Sequence, residues 1–355
     1  MKPFLPLPAR DLAHIFHHTA ELWEEARGKR FFITGGTGFF GIWLLESFIF
    51  INDALDLGAT ATVLSRDPAR FACKAPHIVA RKDLLFHQGD IRNFEHPQGS
   101  YDYLIHAATE ASTQLNREHP GEMLDSIVSG MRHIIGFAKA KQVSKFLFTS
   151  SGAVYGKQPS DMSHISEDFL GAPDCLKPDS AYSEGKRVAE LMAAIHLIHS
   201  CCAFKIARCF AFVGPHLPLD SHFAIGNFIG DAILGRTIHI KGDGTPFRSY
   251  LYAGDLTVWL WVILFKGASG RAYNVGSEQS LDIYTIADSV SRAMKGCSNI
   301  EIENEPFENQ AVSRYVPSTQ RAALELGLKS CIGLDEAIAR TVTWYLTNNL
   351  PKHDE

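Results

Sequence analysis

Residues 31–41 read Phe31-Phe32-Ile33-Thr34-Gly35-Gly36-Thr37-Gly38-Phe39-Phe40-Gly41. The apolar start is typical of a buried strand, and the apolar residues after Gly41 predict a helix. Where the strand turns into the helix, Gly35 permits the tight turn, Gly38 lets a phosphate approach the backbone, and Gly41 lets the helix pack closely on the sheet. A helix N-terminus at this point offers free N–H groups to an anion. A glycine-rich turn without a ligand is the alternative, and the flanking strand and helix argue against it.

The composition gives the chain ample apolar material for a core, since 46% of its 355 residues are apolar and 21% are charged. The net charge is −5, and Lys and Arg form no block, which argues against nucleic acid as a partner. The most apolar runs, residues 39–51 and 258–265, are too short to cross a bilayer. We therefore expect a soluble protein that does not enter a membrane.

The cysteines and histidines give no sign of a metal site. The seven cysteines are odd in number and form no Cys-x-x-Cys pair, and the sixteen histidines are scattered along the chain. Reduced thiols in a cytoplasmic protein are the simplest interpretation of this pattern.

Strand-like and helical segments alternate from residue 30 to about 210. After the first strand, we predict strands over 59–65, 84–87, 101–106 and 145–149, and a helix over 122–141. This alternation is typical of an α/β fold with a doubly wound parallel sheet. Before it, apolar residues at helical spacing predict an amphipathic helix over 11–26.

The end of the second predicted strand bears on the choice of cofactor. In dinucleotide-binding folds an acidic residue at this point binds the ribose 2′-hydroxyl, whereas an Arg suits a 2′-phosphate. Here Ser65 stands where the acid is expected, and Arg66 follows it. The pair favours NADP over NAD, although Arg66 is equally able to stack on an adenine or to remain solvated.

Candidate catalytic residues follow the fifth predicted strand. Ser151 closes a Ser-rich strand end, and Tyr182 and Lys186 come later, four residues apart and therefore on one face of a helix. An ammonium beside a phenol favours the phenolate and lowers its pKa from ~10 toward neutrality. Such a Tyr acts as a general base on a substrate hydroxyl while hydride leaves for a nicotinamide, and a Ser hydroxyl holds the same oxygen.

Taken together, these motifs resemble the extended short-chain dehydrogenase/reductase family, the NAD(P)-dependent nucleotide-sugar epimerases and dehydratases. The resemblance runs from about residue 30 to about 343. It rests on the glycine motif and on five further motifs: His106-Ala107-Ala108, Ser150-Ser151-Gly152-Ala153-Val154-Tyr155-Gly156, Tyr182-Ser183-Glu184-Gly185-Lys186, Arg208-Cys209-Phe210-Ala211-Phe212-Val213-Gly214-Pro215, and Arg248-Ser249-Tyr250-Leu251-Tyr252 after a Gly-Asp-Gly turn.

The resemblance implies a Rossmann-type NAD(P)-binding domain with a smaller C-terminal lobe for the substrate. We expect a helical extension over 1–28, the Rossmann domain over 29–205, and a nucleotide-sugar-binding lobe over 206–355 with segments that return to the sheet. It also implies a homodimer, formed through helices near 120–141 and 181–200, where Ile195, Leu197 and Ile198 either face a partner or pack inward.

Site residues follow from the same resemblance. Ser151, Tyr182 and Lys186 match the catalytic set. The expected cofactor-binding residues are Gly35, Thr37, Gly38, Phe39, Gly41, Ser65, Arg66, Asp90, Ile91, Ala107, Ala108, Tyr182 and Lys186. The expected substrate-binding residues are Glu110, Ser151, His216, Asn227 and Arg248.

The chain also departs from the family's patterns. Dehydratases carry an Asp-Glu pair directly after the catalytic Ser or Thr, and the decarboxylating members carry a Glu at the second of these places, but here Gly152 and Ala153 stand there. His216 follows Gly214-Pro215 as it does in the epimerase-reductases, so it is either an acid/base or a loop residue without a catalytic role. Ile127 replaces an Asn that organises a water in some members.

These observations favour transient oxidation at C4 of a nucleotide diphosphate sugar, followed by return of hydride to the other face, which is a C4 epimerisation. The alternatives are a 4-keto sugar reductase, a 4,6-dehydratase-like enzyme that uses Glu110 or His216 as its acid, and a non-catalytic nucleotide-binding protein on the same fold.

Overall fold

The computed structural model describes residues 3–108, 113–220, 223–296, 298–305 and 312–349. Its strands are β1 (Arg30–Thr34), β2 (Thr60–Ser65), β3 (Leu84–Gln88), β4 (Tyr103–His106), β5 (Lys145–Ser151), β6 (Ala203–Cys209), β7 (Phe212–Val213), β8 (Ile238–Ile240), β9 (Phe247–Arg248), β10 (Leu251–Tyr252), β11 (Arg271–Val275), β12 (Leu281–Asp282), β13 (Ile300–Ile302) and β14 (Arg314–Tyr315). Its helices are α1 (Ala9–Thr19), α2 (Phe39–Ala54), α3 (Pro68–Lys74), α4 (Pro76–Val79), α5 (Thr113–Glu118), α6 (Pro120–Ala140), α7 (Ala181–Leu197), α8 (Ala224–Ile233), α9 (Ala253–Lys266), α10 (Ile283–Ala293), α11 (Gln320–Leu326) and α12 (Leu334–Asn349).

The central sheet joins seven strands in the order β11-β6-β5-β4-β1-β2-β3, and every pairing within it is parallel. The chain runs outward in one direction from β1 to β3 and in the other from β4 to β11. The strand order reverses between β1 and β4, and ligands of such sheets bind at the carboxyl ends of the strands near that point. The predicted Rossmann-type doubly wound sheet is therefore confirmed.

Apolar side chains cover both faces of this sheet. Phe31 and Phe32 of β1 are both fully buried, and since successive side chains of a strand point to opposite faces, they enter different cores. Phe31 joins the core that contains α2 and α9, and Phe32 joins the core that contains α6 and α7. Burial on both faces explains why β1 is an almost continuous apolar run rather than an alternating one.

The smaller lobe is built from the later part of the chain. It contains the short sheets β8–β13 and β12–β9–β14, with α8, α10 and α12 packed around them. The predicted boundary at residue 205 falls inside β6, and β11 joins the central sheet from beyond it. The two parts are thus interleaved in sequence, and the division at 205 stays a prediction.

The N-terminal segment is fixed to the body of the protein. The predicted helix over 11–26 is an α-helix as far as Thr19 and a 3₁₀ helix over Ala20–Ala26, because Thr19 leaves the helical backbone region with φ −130°. Buried Trp23 packs edge-to-face on Trp261 of α9, with ring centroids 4.6 Å apart. Buried Asp11 accepts hydrogen bonds from Arg340 Nη1 at 2.6 Å and from Tyr252 Oη at 2.8 Å.

Within the described ranges, every helix is too short or too polar to cross a membrane. The same part of the chain holds no group of three or more His, Cys, Asp or Glu side chains arranged to bind a metal ion.

Candidate active site

Gly35, Gly38 and Gly41 of the first motif occupy different surroundings. Gly35 has φ +74°, and a Cβ built there would lie 2.5 Å from the carbonyl carbon of Ala107, the residue after β4. A Cβ at Gly41 would lie 2.3 Å from the Gly35 carbonyl oxygen, so α2 packs directly on the turn. A Cβ at Gly38 would meet nothing closer than 3.5 Å. Gly35 and Gly41 thus let the backbone close up, while Gly38 keeps the backbone open at the helix N-terminus.

A cavity of about 740 Å³ opens at this turn, along the carboxyl ends of the central strands. Its lining joins the glycine turn to the ends of β5 and β6, to α5 and to the loop after β7. It is lined by Gly35, Gly38, Phe39, Phe40, Ala107, Thr113, Gln114, Arg117, Thr149, Ser150, Ser151, Tyr182, Lys186, Cys209, Phe210, Ala211, Phe212, Leu217, Pro218, Asp220 and Phe223. The cavity has the size and position of a ligand site in this kind of sheet.

Ser151, Tyr182 and Lys186 all line this cavity. Ser151 ends β5, and its Oγ accepts a hydrogen bond from the Ala153 N–H at 3.1 Å, which begins a 3₁₀ turn. Tyr182 and Lys186 lie one turn apart on α7. Buried Lys186 donates from Nζ to the Thr149 carbonyl oxygen at 2.8 Å, and its Nζ lies 5.9 Å from the Tyr182 ring centroid. The fold therefore brings the three predicted residues together at one edge of the sheet.

The pKa values of this group differ from the expectation. Burial raises the pKa of Tyr182 to about 12, and a hydrogen bond with Ser151 acts in the opposite direction. Burial also lowers the pKa of Lys186 to about 7, with Cys209 and Glu190 opposing it. The prediction that Lys186 lowers the Tyr182 pKa is wrong for the protein alone. Burial outweighs every other influence on the phenol and also weakens the positive charge that was expected to act on it.

The ends of β2 and β3 lie beside the glycine turn. Ser65 is buried and its Oγ accepts from the Asp67 N–H at 3.3 Å, whereas Arg66 is exposed. Asp90 accepts from Arg92 Nε at 2.8 Å, and this hydrogen bond lowers the pKa of the Asp90 carboxyl. A Cβ at Gly130 of α6 would lie 3.2 Å from Ile91. Two more residues expected to bind the cofactor lie near this edge of the sheet. Thr37 is half-buried within the glycine turn, and the Ala108 N–H donates to Thr34 Oγ1 at 3.2 Å.

A second cavity of about 730 Å³ lies in the smaller lobe, and Asp220 lines both cavities. Asn227, on α8, is one of its lining residues, together with Arg236, His239 and Lys241. Arg248 lies on β9, where its Nη1 donates to the Phe247 carbonyl oxygen at 2.8 Å. Burial lowers the pKa of Arg248, and among the described residues no carboxylate forms an ion pair with it.

Comparison with known proteins identifies the family. Residues 31–276 match the model of the NAD dependent epimerase/dehydratase family. The chain belongs to this family. UDP-glucuronic acid decarboxylase 1 of Xenopus tropicalis is 25% identical to it, over 91% of this chain and 73% of that protein. The UDP-glucose 4-epimerase of Thermotoga maritima, solved with UDP-glucose, has a TM-score of 0.74 at 18% identity, over 90% of this chain and 99% of that one. The dTDP-glucose 4,6-dehydratase of Streptomyces venezuelae, solved with NAD, has a TM-score of 0.75 at 22% identity, over 90% of this chain and 97% of that one.

Membership of the epimerase/dehydratase family confirms that the chain is an NAD(P)-dependent enzyme of nucleotide-sugar metabolism. The relatives include decarboxylases, epimerases and dehydratases, so the family does not fix one reaction. The glycine cradle fits a dinucleotide, because the space over Gly38 is open and two neighbouring glycines bring the turn close to the sheet.

Several residues that hold this epimerase/dehydratase site together are absent from the sequence-based expectations. Glu190 of α7 binds Arg208 of β6 at 2.7 Å and accepts from Ser150 Oγ at 2.5 Å. Arg208 also donates to Tyr155 Oη at 2.9 Å, and Tyr155 donates to Asn274 Oδ1 at 2.7 Å. This buried network connects α7 with β5, β6 and β11 behind the cavity. Ser150, Tyr155 and Arg208 stand in the quoted motifs, but the motifs assign them no role. The sequence signal for Glu190 is its position four residues after Lys186 on the same helix face.

Asn116 fixes the start of the helix that carries Tyr182. Its Oδ1 accepts from the Tyr182 N–H at 2.9 Å, and its Nδ2 donates to the Asp179 carbonyl oxygen at 2.6 Å. Helix N-termini leave N–H groups without partners, and a side-chain oxygen that accepts from them holds the first turn in place. Because Asn116 lies on α5, far from residue 182 in sequence, no local capping pattern reveals it.

Ile127 of α6 stands where some family members carry an Asn, and it packs against Gly185 of α7. Ile127 is buried, and a Cβ at Gly185 would lie 3.0 Å from its Cδ1. Helices α6 and α7 therefore meet through an apolar contact beneath the Tyr182–Lys186 face.

His216 and Glu110, two predicted substrate-binding residues, have different outcomes. His216 lies outside the cavity lining, with its ring 5.1 Å from Phe4 and 4.4 Å from Trp344. Both ring nitrogens are buried and find no hydrogen-bond partner among the described residues, and burial lowers the pKa of His216 to about 3. The packing thus separates His216 from Ser151 and Tyr182. Glu110 lies outside the described residues.

Proposed function

We propose that this enzyme is a C4 epimerase of a nucleotide diphosphate sugar. Tyr182 takes the proton of the C4 hydroxyl, Ser151 holds the same oxygen, and hydride leaves C4 and later returns to the other face of the sugar. The observation that carries this proposal is the convergence of Ser151, Tyr182 and Lys186 on the cavity that begins at the glycine turn.

The cofactor contacts belong to the same proposal. Gly35, Thr37, Gly38 and Phe39 would hold the pyrophosphate, with Gly41 keeping α2 against the turn. Ala107 and Ala108 leave room across the sheet, and Asp90 and Ile91 flank the adenine. The exposed Arg66 after Ser65 supports a 2′-phosphate contact and hence NADP, while the dehydratase from Streptomyces venezuelae was solved with NAD.

Proton transfer at Tyr182 needs a lower phenol pKa than the protein alone provides. When bound, an oxidised nicotinamide supplies the hydride acceptor and a positive charge that favours the phenolate. On the protein side, Lys186 would bind the nicotinamide ribose while its Nζ stays fixed by the Thr149 carbonyl oxygen. The Ser151 hydroxyl, hydrogen-bonded to Tyr182, stabilises the charged phenolate.

The cavity favours epimerisation over elimination. Loss of water from the 4-keto sugar requires an acid near the sugar, and Gly152 and Ala153 supply none. Among the described lining residues, the one carboxylate is Asp220, which is exposed at the rim. Epimerisation needs no such acid. A 4,6-dehydratase that uses Glu110 and a 4-keto sugar reductase remain the alternative reactions.

The nucleotide part of the substrate is proposed to lie in the second cavity. Asn227 faces that cavity, and Asp220 marks its junction with the first. The half-buried Arg248 guanidinium supports binding of the diphosphate, because Arg recognises phosphate oxygens through charge-assisted hydrogen bonds.

We also propose a homodimer through α6 and α7. Leu197 is fully buried and packs inward, but Ile195 is 64% exposed and Ile198 is 50% exposed. Leu191 and Val188 extend the same exposed apolar surface along α7. Such a surface along α7, which packs against α6, suits a bundle with the same helices of a second copy.

The cytoplasm is the proposed location. The described cysteines are all free thiols, and Cys202 and Cys209 are buried. Free thiols persist in a reducing compartment.

The direct test begins with purified protein without added cofactor. Denaturation releases any retained dinucleotide, whose mass distinguishes NAD from NADP. Native protein is then incubated with UDP-, dTDP-, GDP- and CDP-sugars. An isomeric product with retained oxidised cofactor supports the epimerase. A product lighter by one water would identify a dehydratase, and net consumption of NADPH against a 4-keto sugar would identify a reductase.

Tyr182→Phe is the matching variant. We expect kcat to fall by about 10²–10⁴-fold, because the phenol is the general base, while cofactor retention stays unchanged. Tyr103→Phe is the control, since Tyr103 lies at the opposite end of the sheet and bonds to Glu25. Near wild-type turnover in Tyr182→Phe would contradict the proposed mechanism.

A further inference from the structure

A second phenol lies at Ser151. Tyr315 is on β14, more than 130 residues from Tyr182 in sequence. A Cβ on Gly152, the residue after Ser151, would lie 2.7 Å from Tyr315 Oη, which places this hydroxyl beside the end of β5. Burial raises the pKa of both Tyr182 and Tyr315, and a hydrogen bond with Ser151 opposes the rise in each. Tyr182 lines the 740 Å³ cavity, whereas Tyr315 is not among its lining residues. Tyr315 thus stands outside the cavity lining that Ser151 and Tyr182 share.

Gly152 makes room for this phenol. A Cβ built on Gly152 would lie 2.7 Å from Tyr315 Oη and 2.7 Å from Cζ of Phe210. A side chain at position 152 and the Tyr315 hydroxyl therefore cannot share this space. The Tyr315 hydroxyl therefore occupies the space that an acidic side chain at position 152 would need.

Contacts from both parts of the protein hold Tyr315 in place. Tyr315 pairs with Arg248 in the parallel register between β14 and β9, and its ring centroid lies 4.7 Å from that of Phe210. The next residue, Val316, donates from its N–H to Gln158 Oε1 at 3.0 Å, and Pro317 bridges to Ile165. Contacts on both sides of residue 315 thus fix the position of the Tyr315 side chain.

The hydrogen-bonding capacity of Ser151 gives this contact a consequence. A serine hydroxyl has one proton to donate and two lone pairs that accept. One lone pair accepts from the Ala153 N–H. If Tyr315 donates to the other, the Ser151 proton can point only toward Tyr182 or the substrate oxygen beside it.

We propose that Tyr315 is a positioning residue that donates a hydrogen bond to Ser151 and so directs the Ser151 proton to the reacting oxygen. This rests on the proposed function of Ser151 and Tyr182. Burial raises the pKa of Tyr315, which keeps its proton in place as a donor. The titratable and charged groups that face the pair are Lys186 of α7, Cys209 of β6 and Arg248 of β9.

The first test measures ionisation of Tyr182 in the purified holoenzyme without sugar. Ultraviolet difference absorbance reports tyrosinate formation, and subtraction of the Tyr182→Phe titration isolates the Tyr182 signal. In Tyr315→Phe we expect the Tyr182 midpoint to rise by about one pH unit, because a hydrogen bond that supports the charged phenolate is weakened. An unchanged midpoint would overturn the proposal.

The second test is a double-mutant cycle through Ser151, with kcat and KM for the sugar identified above. Tyr315→Phe should lower kcat by about tenfold and leave KM within about threefold, since the hydrogen bond acts on the reacting oxygen. In a Ser151→Ala background, Tyr315→Phe should change neither the midpoint nor kcat. An equal effect in both backgrounds would show that Tyr315 acts through packing and would overturn the proposal.

Two further variants keep the outcome interpretable. Gly152→Ala retains Tyr315 but pushes its hydroxyl away from Ser151, so it should raise the midpoint even if Tyr315→Phe folds poorly. Tyr103→Phe should leave midpoint and kcat unchanged. A different result is that the wild-type protein shows the Tyr182 titration and its dependence on Tyr315 while none of the tested sugars reduces the bound cofactor. That result would overturn the proposed function and leave the Tyr315–Ser151 hydrogen bond supported.

Discussion

The two sides of the cavity are built in different ways. On the cofactor side, a short continuous segment supplies the turn, and backbone atoms leave no room for a Cβ at Gly35 or Gly41. On the catalytic side, Ser151, Tyr182 and Tyr315 come from β5, α7 and β14, and side-chain hydrogen bonds hold them together. Local backbone geometry is encoded in adjacent residues, whereas a convergent set of side chains depends on the whole fold. The cofactor side should therefore fail through backbone clashes, and the catalytic side through loss of single contacts.

The largest expected effect comes from Gly41→Ala. Its Cβ would lie 2.3 Å from backbone atoms of Gly35 and Gly36, so α2 must move away from the sheet. We expect a loss of about 3 kcal/mol or more in the free energy of unfolding and no retained dinucleotide. Chemical denaturation and mass measurement of the released cofactor provide the test.

Gly38→Ala is the matched control for Gly41→Ala. The nearest atom to its Cβ is 3.5 Å away, so the unfolding free energy should change by less than about 1 kcal/mol. Cofactor affinity should still fall by about tenfold, because the methyl group enters the space over the helix N-terminus. Equal destabilisation by both substitutions would contradict the difference we infer between the two glycines.

The next largest effect is expected from Arg248→Leu, which tests the proposed binding site for the substrate diphosphate. Loss of charge-assisted hydrogen bonds to a diphosphate should raise KM for the nucleotide sugar by about 10- to 100-fold, with cofactor retention unchanged. Arg314→Leu is the neighbouring control, because that guanidinium lies over the Phe247 ring, 4.2 Å from its centroid. A KM that is unaffected by Arg248→Leu would remove this residue from the proposed diphosphate site.

Stability should depend on pH through buried lysines on both sides of the sheet. The folded-state pKa of Lys186 is lowered to about 7, below the value near 10.5 of an exposed lysine. Between these values the unfolded chain binds more protons, so stability should rise with pH, by up to about 1.4 kcal/mol per pH unit for one proton. Denaturant unfolding of the cofactor-free protein at pH 7 to 10 checks the slope.

Lys186→Met should flatten that slope and also abolish turnover. Lys205→Met is the control, because Lys205 is equally buried, with its pKa lowered to about 8, and donates to the Leu264 carbonyl oxygen. It should flatten the slope and leave kcat unchanged. A slope that is as steep in both variants as in the wild type would mean that other groups carry the pH dependence.

The smallest expected effect is that of His216→Phe. Because the His216 ring packs between Phe4 and Trp344 and forms no hydrogen bond within the described part of the chain, an apolar ring should leave kcat within about threefold of wild type. The unfolding free energy should change by less than about 1 kcal/mol, since no buried hydrogen bond is lost. A loss of kcat comparable to that of Tyr182→Phe would return His216 to the list of acid/base candidates.

Regular elements were predictable from local pattern alone. The predicted strand over 84–87 and helix over 122–141 agree with β3 and α6 to within two residues at each end. The change to a 3₁₀ helix after Thr19 was not predictable, because apolar spacing barely distinguishes the two helix types. The Tyr182 pKa was mispredicted because pairwise spacing contains no measure of burial.

By itself, the sequence determined the glycine turn, the order of strands and helices, and the identity of Ser151, Tyr182 and Lys186 as candidates. These features depend on residues close together in the chain or on periodic patterns. Only the tertiary structure decided that His216 packs away from the cavity, that Asn116 caps the Tyr182 helix, and that Tyr315 takes the space over Gly152. Contacts between distant segments arise when the two parts of the fold pack together, and no local pattern records which side chains then meet.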